Sequence, residues 1–122
     1  MIYFNEKTLE FHLTNQTMSY VFRVMEQTGT LEHLYYGSTI PHYDDFSFLI
    51  EREIRPSNNQ VWGSNLTSLE HVKQEYPVFG TTDFRYPALD VEYPEGDHIS
   101  QFVYQSYRIF TGKKVTGALP GT

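Results

Sequence analysis

Thr8-Leu9-Glu10-Phe11-His12-Leu13, followed by Met18-Ser19-Tyr20-Val21-Phe22-Arg23-Val24-Met25, is the stretch that decides the fold class. Both pieces alternate apolar with polar side chains, the period of a half-buried strand. Met18, Tyr20, Phe22 and Val24 fall on one face of the second piece. Thr14-Asn15-Gln16-Thr17 between them is turn chemistry. Gln27-Thr28-Gly29-Thr30 reads as a hairpin loop with Gly29 at the positive-φ position. Residues 31–36 make the return strand, stopped by Gly37. Strands joined by turns this short describe an antiparallel meander.

Beyond it the pattern changes. Residues 38–64 read as a long irregular segment, apolar at Phe48-Leu49-Ile50 and alternating in charge at Glu51-Arg52-Glu53-Ile54-Arg55. Pro56-Ser57-Asn58-Asn59-Gln60 is a further loop, and Trp62, the only tryptophan, stands at the tip. Long irregular segments in a compact β domain usually carry function, so this is the expected binding segment. Residues 66–73 have room for one helical turn, starting between Ser68 and His71. Residues 88–93 alternate again, Pro94-Glu95-Gly96-Asp97 is a turn, and residues 98–110 read as a long strand interrupted near Gln105-Ser106, giving a second hairpin. Gly112-Lys113-Lys114 turns once more, and residues 115–122 trail off. No sustained helical periodicity occurs. The expected fold is all-β, a β-sandwich.

Residues 74–89, Gln-Glu-Tyr-Pro-Val-Phe-Gly-Thr-Thr-Asp-Phe-Arg-Tyr-Pro-Ala-Leu, are too broken for a helix. The residue before each proline is pushed toward extended geometry, and Gly80 permits a turn that other residues resist. An ordered crossing loop between strands is expected. Asp83 and Arg85 lie two apart, hence on one side of a locally extended chain, and read as an ion pair bracing the loop.

The 122 residues hold at most one domain. Their hydrophobic content of 39% is lean but 16% are aromatic, so a core built from Tyr and Phe is expected. A net charge of −6 disfavours a phosphate backbone, so nucleic acid is not an expected partner. There is no cysteine, which excludes disulfides and thiolate metal sites. The first residues lack the apolar run of a leader, and no stretch reaches membrane-span length. A cytoplasmic location follows as the expectation, and two Asn-x-Thr patterns, at Asn15 and Asn65, carry no weight there.

No phosphate loop, His-Glu-x-x-His or nucleophile elbow is present. His12, His33, His42, His71 and His98 are scattered without metal-ligand spacing. Glycoside hydrolysis needs two facing carboxylates, but 15 acidic residues offer too many pairs for the count to point anywhere.

Gln74-Glu75-Tyr76-Pro77, Gly80-Thr81-Thr82-Asp83-Phe84-Arg85 and Pro87-Ala88 closely resemble the N-terminal region of bacterial family 36 glycoside hydrolases, the α-galactosidases. Flanking pieces agree in register: Phe11-His12-Leu13, Ser19-Tyr20-Val21, Leu34-Tyr35-Tyr36-Gly37, Arg108-Ile109-Phe110-Thr111-Gly112-Lys113 and Gly117-Ala118-Leu119-Pro120. The resemblance implies the first part of an N-terminal β-sandwich over residues 1–122, followed in the family by a (β/α)₈ barrel that holds an Asp nucleophile and an Asp acid/base for a retaining mechanism. No catalytic residue is then expected in this chain. The implied substrates of the parent enzyme are melibiose and raffinose-type galactosides, with no cofactor. The family is also similar in forming homotetramers in which an N-terminal loop reaches a neighbour's pocket. The matching loop is Ile50-Glu51-Arg52 before Arg55-Pro56, so Glu51 is the implied sugar contact, with Glu where the family pattern has Asp. Glu53 is the competing assignment. Trp62 is the candidate stacking platform beside it. The alternatives are a stand-alone carbohydrate-binding sandwich and a pure assembly module.

Overall fold

The computed structural model describes residues 1–55 and 58–112. The turn expected at residues 112–114, the tail at 115–122 and the start of the loop at Pro56-Ser57 lie wholly or partly outside them.

Four strands, β1 (Ile2–Asn5), β2 (Glu10–Thr14), β3 (Met18–Val24) and β4 (Leu31–Ser38), form one antiparallel sheet in the order β1-β2-β3-β4. The order of the meander is therefore as read, but β4 is not stopped by Gly37: it pairs with β3 through Gly37 to Ser38. The described residues contain no α-helix. The Asn15 side chain shapes the β2–β3 turn by accepting hydrogen bonds from the Thr17 and Met18 amides, both at 2.8 Å. Gly29 closes the β3–β4 hairpin at φ +70°, with its amide 2.7 Å from the Met25 carbonyl. β1 is an addition. Ile2-Tyr3-Phe4 is apolar without alternation, so periodicity does not reveal it, yet it pairs with β2 over its whole length.

Register assigns the faces. Glu10, His12, Ser19, Val21, Arg23, Glu32 and Tyr35 share one face, and Phe4, Phe11, Leu13, Tyr20, Phe22 and His33 the other. A bulge between Val21 and Phe22 lets Leu34 join the first set. The apolar stripe Met18-Tyr20-Phe22-Val24 belongs to the second face, whereas the deepest burial is on the first. There Val21 and Leu34 pack with Phe46 beneath residues 39–52, and Ile40, Leu49 and Ile50 close over them. The Phe46 amide donates to the Glu10 carboxylate at 3.0 Å, and the Ile40 amide to the Ser19 hydroxyl at 3.1 Å. The second face is aromatic: Phe11 stacks on Phe22, and Tyr107 lies across Phe4 and Phe11.

Among the described residues, helical structure is limited to single 3-10 turns, Ser47–Leu49 and Leu69–His71. The second fits the turn expected in residues 66–73, and its Leu69 joins Met25 and Val72 in a small second core. The expected Tyr and Phe core is therefore not what forms: among the described residues the buried apolar side chains are mainly aliphatic, with Phe11 and Phe46 the aromatic ones and no Tyr, because the tyrosine hydroxyls keep those rings at the surface.

The second hairpin does not form as expected. Its turn is present, with the Tyr93 amide 2.8 Å from the Asp97 carbonyl. Beyond the turn, residues 88–112 contain no strand. Both arms bond instead to residues 77–79: the Ala88 amide to the Pro77 carbonyl at 2.8 Å, and the Ser100 amide to the Phe79 carbonyl at 3.0 Å. The central stretch thus lies where the hairpin's own ladder would be, leaving Leu89, Ile99, Phe102 and Val103 exposed.

Residues 74–89 are the ordered crossing loop anticipated. Residues 73–75 run along the free edge of β4 (His33 amide to Lys73 carbonyl, 2.7 Å; Glu75 amide to Leu31 carbonyl, 3.0 Å). A tight turn follows in which Gly80 and Asp83 exchange backbone hydrogen bonds of 2.8 and 3.0 Å. Its central residues, Thr81 and Thr82, sit at φ +50° and +71°, costly for β-branched side chains. Asp83 holds the turn: its buried carboxylate accepts from Arg85 Nε at 2.9 Å, Arg85 Nη2 at 2.7 Å and Gln74 Nε2 at 2.6 Å. Arg85 Nη2 also reaches the Leu69 carbonyl at 3.2 Å. The Asp83–Arg85 pair is structural, as its spacing suggested.

Candidate functional site

Residues 50–67 carry the candidates, and the sheet positions them. Past the Ser47–Leu49 turn the chain is extended at Ile50 (φ −77°, ψ 120°), so successive side chains point opposite ways. Arg52 turns inward. Its Nη2 donates to Glu32 Oε2 at 2.8 Å, its Nη1 bonds Glu32 Oε1, and Arg23 Nε adds a bond to Oε2 at 2.8 Å. Burial pushes the Glu32 carboxyl up, but the Arg52 and Arg23 guanidiniums outweigh it and hold the group below the usual carboxylate range.

Glu51 points outward, exposed, with its Oε2 2.6 Å from Lys73 Nζ. Lys73 draws its carboxyl below the ordinary value. Glu53 is engaged differently: Arg55 bonds its carboxylate, and His71 Nδ1 lies 3.6 Å away. Of the two candidates, Glu51 is held by one exposed lysine, whereas Glu53 is shared between two partners.

The tip is tied to itself. The Arg55 amide donates to the Asn65 carbonyl at 2.6 Å, and the Gln60 amide to the Thr67 carbonyl at 2.7 Å. A turn closed by the Ser64 amide on the Val61 carbonyl, 3.1 Å, with Gly63 at φ +77°, presents Trp62. The indole is fully exposed, at 101% relative accessibility, so both of its ring faces are open to solvent. No hydrogen bond or ring contact joins Glu51 to Trp62 among the described residues. Both stand on one loop as separate exposed groups.

Sequence reasoning did not single out Glu32, Arg52 and Lys73. The charge alternation at residues 51–55 is the one signal near Arg52, and it does not name a partner. Its partner lies 20 residues away across the sheet, a proximity that topology creates.

The histidines serve the fold. His12 is buried, with Nε2 3.0 Å from the Ser19 hydroxyl and Nδ1 3.2 Å from His42 Nδ1. His42 stacks on Tyr3 at 4.0 Å. Burial, then His42, then the amino terminus depress the His12 pKa. Among the described residues no three His, Asp or Glu converge as a metal site, and no helix is long and apolar enough to cross a membrane.

These groups set the acid response. Glu32, Asp83 and His12 all have folded pKa values below their unfolded ones. Each contribution is therefore complete above the unfolded pKa and is lost as pH falls through the folded one. A shallow loss of stability is expected below about pH 6.5, from His12, and a steeper one below about pH 4, from the carboxylates. His98, whose pKa Asp90 raises, adds stability as pH falls toward 6.5, so the urea midpoint measured between about pH 6.5 and 3 tests this; a midpoint that rises on acidification over that range contradicts it.

Residues 29–122 match the glycosyl hydrolase family 36 N-terminal domain. The chain belongs to that family. The family 36 domain is 39% identical over 112 residues to alpha-galactosidase 1 of Pediococcus pentosaceus, covering 90% of this chain and 15% of that protein. It is 32% identical to alpha-galactosidase AgaA of Geobacillus stearothermophilus, over 98% of this chain and 16% of the relative. The crystal structure of the Lactobacillus brevis alpha-galactosidase superposes with a TM-score of 0.89 at 31% identity, over 98% of this chain and 16% of that one. A Geobacillus stearothermophilus AgaA variant solved in complex with raffinose gives 0.80 at 32% identity, over 93% of this chain and 16% of that one. The chain thus spans about a sixth of the length of these relatives. With the family shown, the four-stranded sheet takes its place in an all-β, sandwich-type N-terminal domain.

Proposed function

We propose that this chain is the first part of the N-terminal β-sandwich of a retaining α-galactosidase acting on melibiose and raffinose-type galactosides without a cofactor, in the cytoplasm. The observation that carries the reading is the alignment of 98% of the chain with only 16% of an α-galactosidase structure at a TM-score of 0.89. The catalytic carboxylates then belong to a barrel outside these residues, and the domain's part is assembly of a homotetramer and completion of a neighbour's pocket rim. Glu51 and Trp62 are the groups it offers. An exposed carboxylate accepts hydrogen bonds from sugar hydroxyls, and an exposed indole covers an apolar sugar face.

Glu51→Ala in the full-length enzyme is expected to lower kcat/KM for melibiose about tenfold, the scale of one charge-assisted hydrogen bond. Unchanged kcat/KM would refute the assignment. The single tryptophan discriminates the alternative. Because the neighbour's pocket supplies the rest of the site, the isolated chain should show no saturable change in Trp62 fluorescence with melibiose. A saturable change would favour a stand-alone carbohydrate-binding module.

A further inference from the structure

Glu51 sits in coil, outside every strand and helix, yet a sugar contact needs its carboxylate at a fixed height and direction. Two connections supply this, and both lead to β4. The Arg52 guanidinium that grips Glu32 also donates from Nη1 to the Glu51 main-chain carbonyl at 2.8 Å. Lys73, whose ammonium holds the Glu51 carboxylate, is bonded through its own carbonyl to the His33 amide, the next residue of β4. The peptide plane after Glu51 is thus referred to residue 32 and its side-chain end to residue 33. Arg23 gives Glu32 a second cation, so the anchor is braced from β3 as well as β4.

We propose that Arg52, held by Glu32, is the positioning residue that aims Glu51. The inference rests on the reading of Glu51 as a sugar contact and deepens it. Only a planar, forked cation can span the two Glu32 oxygens and the Glu51 carbonyl together; an ammonium on a flexible stem lacks that geometry. Misplacing a positioned group by an ångström is enough to lose much of its effect.

The test is a double-mutant cycle in the full-length enzyme. Arg52→Lys is expected to raise KM for melibiose about tenfold while kcat stays within about twofold, the pattern of lost binding that ground and transition states share. Glu32→Gln, which keeps the volume but weakens the grip on Arg52, should do the same. Introduced into Glu51→Ala, Arg52→Lys should have no further effect, because the group it aims is gone. If Glu51→Ala alone changes nothing, the sugar-contact reading falls and the inference with it. If Glu51→Ala raises KM but the Arg52→Lys effect multiplies independently on that background, the positioning role is overturned while the sugar contact stands. Loss of fold in both Arg52→Lys and Glu32→Gln would also overturn it, making the clamp a support of the sheet rather than of Glu51.

Discussion

Phe46→Ala is expected to destabilise the chain by about 3–5 kcal/mol, the range for deleting a large buried ring that its surroundings cannot fill. Phe46 is 1% exposed and is the member of the main core that comes from outside the sheet. It packs on Val21 and Leu34, makes an edge contact with His12 at 5.3 Å, and has Ile40, Leu49 and Ile50 around it. These neighbours belong to three hydrogen-bonded strands, β2, β3 and β4, and to the segment that Phe46 itself pins, so collapse into the space is limited on the strand side. At a urea slope of about 1–3 kcal/mol/M, the midpoint should fall by more than about 1 M. A loss below about 1 kcal/mol would mean that residues 39–52 do not close the sheet as described.

Asp83→Ala should cost about 3 kcal/mol, at the lower end of what removing one partner of a buried ion pair brings. Asp83 is 1% exposed, and its loss strips bonds from Arg85 and Gln74 together. Arg85 is half exposed, so water can solvate part of its orphaned guanidinium, which is why the upper end is not expected. The Thr81-Thr82 turn also loses the anchor that holds two threonines at positive φ. Asp83→Asn keeps an acceptor for Arg85 and should cost less. Equal losses for the two variants, or a loss below about 1 kcal/mol for alanine, would show that the carboxylate does not brace the loop.

How far the sequence could be read varies along the chain. The β2–β4 meander was legible because alternation, an Asn-led turn and Gly29 all act locally. The Asp83–Arg85 pair was legible because both partners sit two residues apart. β1 lacked alternation. The failed hairpin shows the limit of pattern: residues 88–93 and 98–110 have strand-like sequences, but which backbone they bond is decided by residues 77–79, a competition that periodicity does not record. The buried face was likewise set by Phe46 arriving from the loop, so the aromatic stripe Tyr20-Phe22 lies on the other side. At the site, the exposure of Glu51 and Trp62 agrees with their place in an irregular polar loop. The Arg52–Glu32 anchor depends on tertiary proximity.

The most direct measurement is to express the complete reading frame that contains this chain, add melibiose and raffinose, and follow the products by proton NMR. Release of galactose that appears first as the α-anomer is the expected result, because double displacement retains configuration. Absence of galactose release, from a folded full-length product, would contradict the α-galactosidase reading at its root.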